Sequence, residues 1–175
     1  MRRLEMALVE SPVGPLGLAA EDGELVSVTF DGLAPLRAWA RRVIGPVEEV
    51  EASDPAGAAG ALRRFFQGEL EALSALPVRL YGTDFQRRTW LALRRIPAGT
   101  TWTYQRLARE VGDVRATRAV GAANGQNPVP VVVPCHRVIG SDGGLTGFGG
   151  GLPRKRWLLR HEGALAPELL LDARR

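Results

Sequence analysis

Three prolines, Pro128, Pro130 and Pro134, fall within seven residues of one of the chain's longest apolar runs, "NPVPVVVPCHRVIG". None of them has a backbone N–H to donate, so the run cannot be a central strand, and it reads as a stiff, extended connector. It is also far too short to cross a bilayer. At its end stands Cys135, the single cysteine of the 175 residues, with His136 beside it. One thiol forms no internal disulfide, and one Cys with two His offers no zinc site of the usual spacing. A free cysteine is most often core filler, so a chemical role for Cys135 needs support from elsewhere in the chain.

The composition, 45 % hydrophobic and 24 % charged, is that of a folded globular protein, with length for one good core or two small ones. The opening "MRRLEMALVE" alternates charged and apolar residues where a signal peptide has a basic head and an apolar core, which predicts a cytoplasmic protein. Charge is uneven: residues 1–83 carry 8 basic and 12 acidic side chains, and residues 84–163 carry 13 basic and 5 acidic. That asymmetry directs the second half toward a polyanion. Its cations are arginines except Lys155, the only lysine. Arginine suits phosphate recognition, although genomic bias gives the same composition.

"LEMALVES", "LGLAAE" and "LVSVTF", separated by "PVGP" and "DGE", predict an antiparallel three-stranded meander. "LAPLRAWARRVIG" predicts a helix ending at Gly45; "SDPAGAAGALRRFFQG" predicts another, with Asp54 as N-cap, Pro55 at its first position and Gly68 at its end. "ALPVRLYG" could add a strand. The expected fold class is α+β: residues 1–80 form a supporting domain with a small antiparallel sheet and helices, residues 81–165 a mainly helical domain, and residues 166–175 a tail.

The second domain is expected to open with a helix capped by Thr83 and Gln86 and carrying Phe85, Trp90, Leu91 and Leu93. "TYQRLAREVG" then predicts a short helix from N-cap Thr103 to Gly112, and "DVRATRAVGAANG" a second helix starting from Asp113. This is a helix-turn-helix pattern. Ala116, Ala119 and Ala123 recur at helical spacing, giving a thin face beside Arg115 and Arg118 that suits a nucleic-acid groove or, equally, close packing on a neighbouring helix. "SDGGLTGFGGG" contains no complete phosphate-loop motif and reads as a turn or an adaptable pocket wall. "LPRKRWLLRHEG" closes the domain as a helix with a basic side.

Cysteine attacks as its thiolate, which Arg137 or a polarising histidine would favour. In an extended segment Cys135 and His136 point to opposite sides, so they communicate only through a backbone turn or a water. His161 is the competing base, and Glu162 is the acidic residue nearest in sequence to either histidine. A cysteine hydrolase or acyl transferase, a DNA-binding regulator with an incidental thiol, and a DNA-processing protein with a cysteine nucleophile all remain. Only the last uses both the basic helical half and the Cys-His pair.

"GQNPVPVVVPCHRVIG", with "TYQRLA" before it and "LTGFGGGLPRKRWLLRHEG" after it, closely resembles the O6-alkylguanine-DNA alkyltransferases, or methylated-DNA–protein-cysteine methyltransferases. The match is detailed from Phe85 to Gly163 and lies mainly in layout before that. The resemblance implies an RNase H-like first domain and a winged-helix-like second one. It implies irreversible, single-turnover transfer of an alkyl group from O6 of guanine, and also O4 of thymine, in duplex DNA to Cys135. The recognition helix would bind the minor groove and Arg118 would enter the stack as the base flips out. His136 would act as base through a water, oriented by Glu162; Tyr104 would donate to the purine; Asn127 would brace the cysteine turn.

Substrate or DNA contacts implied by the resemblance fall on Arg115, Ala119, Ala123, Asn124, Val138, Phe148, Gly149 and Lys155. No cofactor or metal is implied, and the expected partner is duplex DNA containing O6-alkylguanine, bound by a monomer or cooperatively by several. Phe148 stands where many relatives have tyrosine, and Gly149 where some have serine, so two hydroxyls are absent from the pocket wall. A zinc site that some relatives carry in the first half is rejected, because residues 1–83 contain neither Cys nor His.

Overall fold

The computed structural model describes residues 1–165; the expected tail, 166–175, lies outside the described residues. Two compact units form, one from Met1–Thr83 with Pro128–Val132, the other from Asp84–Asn127 with Val133 onward. The second is therefore not the uninterrupted run 81–165 that the sequence suggests. A short piece of the proline segment belongs to the first unit instead, where the Pro128 carbonyl accepts from Val28 N and from Ser27 Oγ, both at 3.0 Å.

In the first unit, strands β1 (Arg2–Val9), β2 (Leu16–Glu21) and β3 (Glu24–Phe30) make the expected meander. The sheet is not wholly antiparallel, because β4 (Val47–Glu51) adds to β1 in parallel, giving the order β3-β2-β1-β4. As an edge strand, "VEEVE" leaves its glutamates exposed and buries little, so it lacks the apolar alternation that marks a strand in sequence. "ALPVRLYG" contributes only an isolated bridge from Val78 to Leu25. At Gly17 a Cβ would stand 2.5 Å from the Gly32 carbonyl oxygen, so β2 needs glycine there to pass the turn after β3.

Helix α1 (Leu33–Val43) lays Leu36, Trp39 and Ala40 onto Leu4, Met6, Ala19 and Val26 of the sheet. The segment expected as one helix from Pro55 is broken. A 3-10 turn, Pro55–Gly57, holds Ala56 and Gly57 at positive φ before α2 (Ala58–Phe66) begins. Asp54 Oδ1 still accepts from Gly60 N at 3.1 Å, so it steadies the start of α2 from six residues away.

The second unit contains α3 (Asp84–Leu93), α4 (Tyr104–Val111), α5 (Thr117–Gly125) and α6 (Leu152–His161), with β5 (Trp102–Thr103) paired in parallel to β6 (Val138–Ile139). Thr103 caps α4 by accepting from Arg106 N, and Gly112 ends it in the left-handed region at φ 103°. Helix α5 starts at Thr117 rather than at Asp113. Asp113 closes a turn instead, its side chain accepting from Arg115 N and its carbonyl from Ala116 N.

The proline segment is also not extended. It runs through successive bends, with Val131 at φ 72°, into a 3-10 turn at Cys135–Arg137. Proline forbids pairing in a sheet but leaves tight turns available.

Candidate active site

Because Cys135 and His136 lie in a 3-10 turn, they are free of the opposed geometry that an extended chain would impose. Cys135 is 5 % exposed. Its N–H donates to the Val133 carbonyl at 2.8 Å, and its own carbonyl accepts from Asn124 Nδ2 at 3.3 Å. Asn127 Nδ2 donates to the Val133 carbonyl at 2.7 Å, and the Asn127 side chain also hydrogen-bonds the thiol. Burial pushes the Cys135 thiol up to about 11, with Asn127 and the Lys155 ammonium offsetting part of the shift. The resting site thus holds a thiol, not the thiolate expected from sequence, and ionisation requires a base.

His136 is fully buried, and its Nε2 faces Glu162 Oε2 at 3.0 Å. Burial lowers the imidazole pKa and the Glu162 contact offsets this only partly, so the ring is neutral and available as a base. With a carboxylate at Nε2 the proton sits there, leaving the Nδ1 lone pair able to accept one; Nδ1 is buried with no hydrogen-bond partner. Glu162 is held on both oxygens by Arg137, Nε to Oε1 at 2.9 Å and Nη2 to Oε2 at 2.7 Å, while Arg137 Nη1 donates to the Ile96 carbonyl at 2.6 Å. Burial works against the Glu162 charge, but the bonds from His136 and Arg137 outweigh it and bring the carboxyl down to about 2. Arg137 therefore clamps Glu162 and does not serve the thiol directly. His161, the competing base, stacks on Trp157 with ring centroids 4.9 Å apart.

Arg115, Arg118 and Ala119 are exposed, Arg115 in the turn before α5 and the other two on its first turns. Ala123 and Asn124 face inward, a correction to their expected substrate or DNA contacts: the Ala123 carbonyl accepts from Trp90 Nε1 at 2.8 Å, and Asn124 supports the cysteine carbonyl. The exposed small residue in their place is Ala122. Lys155, also expected as a substrate or DNA contact, is likewise turned inward. It is fully buried, with Nζ donating to the Val138 carbonyl at 2.6 Å and the Thr146 carbonyl at 2.8 Å. Val138 is buried with its carbonyl so engaged, Phe148 is half-buried and Gly149 exposed.

Tyr104, half-buried at the start of α4, receives a hydrogen bond on its hydroxyl from Thr146 Oγ1 at 3.2 Å. Sequence reasoning passed over Thr146, the Asn124 tether and the Arg137 clamp. Only Arg137 carried a readable sign, a charge beside the Cys-His pair in a run otherwise apolar. Among the described residues no cluster of His, Cys, Asp or Glu could hold a metal ion, and no helix is long and apolar enough to cross a membrane.

Residues 4–80 match the family model described as 6-O-methylguanine DNA methyltransferase, ribonuclease-like domain, and residues 84–164 match the DNA binding domain of the same description. A Shigella flexneri protein named methylated-DNA–protein-cysteine methyltransferase is 52 % identical over 118 residues, 67 % of this chain and 69 % of that one. One of the same name from Mycobacterium bovis is 42 % identical over 91 % of this chain and 92 % of its own length. The crystal structure of Mycobacterium tuberculosis OGT in complex with DNA superposes with a TM-score of 0.76 at 38 % identity, covering 96 % of this chain and 97 % of that one.

Proposed function

The chain belongs to the 6-O-methylguanine DNA methyltransferase family, and on that premise we propose that it repairs DNA by moving an alkyl group from O6 of guanine in a duplex to Cys135. O4-alkylthymine is the second substrate. The buried, unpartnered Nδ1 of neutral His136, beside a thiol that burial keeps protonated, is the observation that carries this reading. His136 accepts the thiol proton through a water, and its cationic form is stabilised by Glu162, which Arg137 keeps ionised. The thiolate then attacks the alkyl carbon: the S–C bond forms, the C–O6 bond breaks, and its electron pair stays on the purine. Tyr104 hydrogen-bonds the ring as that charge develops, and the proton given up by the thiol ends on a purine nitrogen, leaving neutral guanine. The S-alkylcysteine formed is a thioether, which water does not cleave, so each molecule acts once.

A stacked base cannot reach a cysteine buried to this degree, so the nucleotide must leave the helix. Arg118, exposed on α5 with Ala119 and Ala122 beside it, enters the minor groove and fills the gap, offsetting part of an unstacking cost of about a few kcal/mol. Arg115 pairs with phosphate, Phe148 stacks against the extruded base, and the Gly149 backbone contacts it.

Mass analysis of the Cys135 peptide after incubation with an O6-methylguanine duplex tests the reading. A peptide heavier by one methyl group is expected, and an unmodified peptide from folded protein overturns it. Sequence-selective DNA binding without transfer would favour a regulator, and catalytic turnover of esters a hydrolase. Arg118→Ala should slow transfer from duplex about tenfold and from the free base hardly at all; equal slowing of both would remove Arg118 from base extrusion.

A further inference from the structure

Tyr104 and Thr146 are 42 residues apart, yet both are referenced to the two-residue β5–β6 pair. Tyr104 follows Thr103 directly, and Thr103 is in register with Ile139. Thr146 lies in the glycine-rich loop, where its carbonyl is held by Lys155 Nζ, the same ammonium that binds the carbonyl of Val138 on β6. Buried Lys155 thus pins the loop to the strand beside which Tyr104 begins its helix. Within that frame Thr146 Oγ1 donates to the Tyr104 oxygen at 3.2 Å.

A phenol carries one proton. If its oxygen accepts from a threonine, that proton stays available to a third group, and accepting one bond strengthens the donation of the other. We infer that Thr146 is a positioning residue for the transfer, its hydroxyl turning the Tyr104 proton toward the extruded purine. The inference rests on the reading of Tyr104 as donor to the purine. In the free protein water competes at Thr146, which is exposed. A seated purine excludes that water, and a hydroxyl already oriented needs no rearrangement as charge develops on the ring. "LTGFGGG" is therefore more than an adaptable wall, because its threonine supplies a side-chain hydroxyl bonded to Tyr104.

Single-turnover transfer from an O6-methylguanine duplex, measured for a double-mutant cycle, tests this. Tyr104→Phe is expected to slow transfer on the order of 10²-fold. Thr146→Val should slow it about two- to tenfold, the loss of one neutral hydrogen bond, with duplex affinity unchanged, and Thr146→Ser should restore it. In the Tyr104→Phe background Thr146→Val should have no further effect, because the hydroxyl it acts through is gone. Equal slowing in both backgrounds would mean that Thr146 merely shapes the loop, and a wild-type rate for Thr146→Val alone would overturn the inference while leaving the proposed reaction intact. Wild-type rates for Tyr104→Phe would remove the donor and the inference together, with alkylation of Cys135 still standing. Absence of any alkylation in the wild type would overturn the reaction itself.

Discussion

Each unit buries one glutamate against arginine, Glu21 in the first and Glu162 in the second, both 4 % exposed. Glu21 meets Arg2, Arg79 and Tyr81, with Arg2 Nε at 2.7 Å and Arg79 Nη1 at 3.2 Å. The two arginines are 48 % and 33 % exposed, so water shares the work of neutralising the carboxylate. Glu162 meets one arginine that is itself buried, and its remaining neighbour is an imidazole. Both carboxyls are held below the ordinary range against the opposing effect of burial. The difference lies in what each charge is passed to: a phenol that keeps its proton at neutral pH, or a ring that can take one up. The same electrostatic device braces a scaffold in one place and prepares a base in the other.

Breaking the second device should have the largest effect. Glu162→Gln keeps the shape but strands the Arg137 guanidinium and frees the His136 tautomer. The expected cost is about 3–5 kcal/mol in urea unfolding, with transfer by the remaining folded protein slowed on the order of 10²-fold. Full activity would show that His136 is not acting through Glu162.

A pH series sharpens the contrast. Alkylation of Cys135 by iodoacetamide without DNA should reach half its limiting rate near pH 11, because burial holds the thiol above its ordinary value of 9.0. Folding then loses stability as pH rises from about 9 toward 11, since the unfolded chain gives up its thiol proton first. The ionised Glu162 acts at the other extreme. Its contribution is complete above the ordinary value of 4.5 and is lost as pH falls toward 2. A thiol titrating at or below 9 would show that the free protein already holds a thiolate.

Glu21→Gln should have the smallest effect: a lower melting temperature, by less than Glu162→Gln produces, and an unchanged transfer rate per folded molecule. A slower rate would give the first unit a part in the chemistry that its contacts do not suggest.

The sequence made these sites legible to different degrees. Helix ends written in capping residues, Thr103 and Gly112, are where local chemistry places them, because a cap needs only its own turn. The Cys135, His136 and Glu162 set was legible as residue types at a family's spacing, and the contacts of His136 with Glu162 agree with it. The alanine stripe misled because burial varies along a helix as well as around it: Ala119 is exposed, whereas Ala123, one turn on, lies under Trp90. Lys155 and Asn124 were expected as substrate or DNA contacts, since nothing local announces a carbonyl waiting to receive them. Strand β4 was invisible because an edge strand with exposed glutamates leaves no apolar rhythm.

Asn127 bonds the carbonyl of Val133, and the five residues between them belong to the first unit. The clasp shuts the excursion at its root, so the nucleophile answers to the asparagine and not to the loop beyond it. The five residues inside it are no spare length, since Val129, Val131 and Val132 are buried, so substitutions there should unsettle the first unit before they move the sulfur.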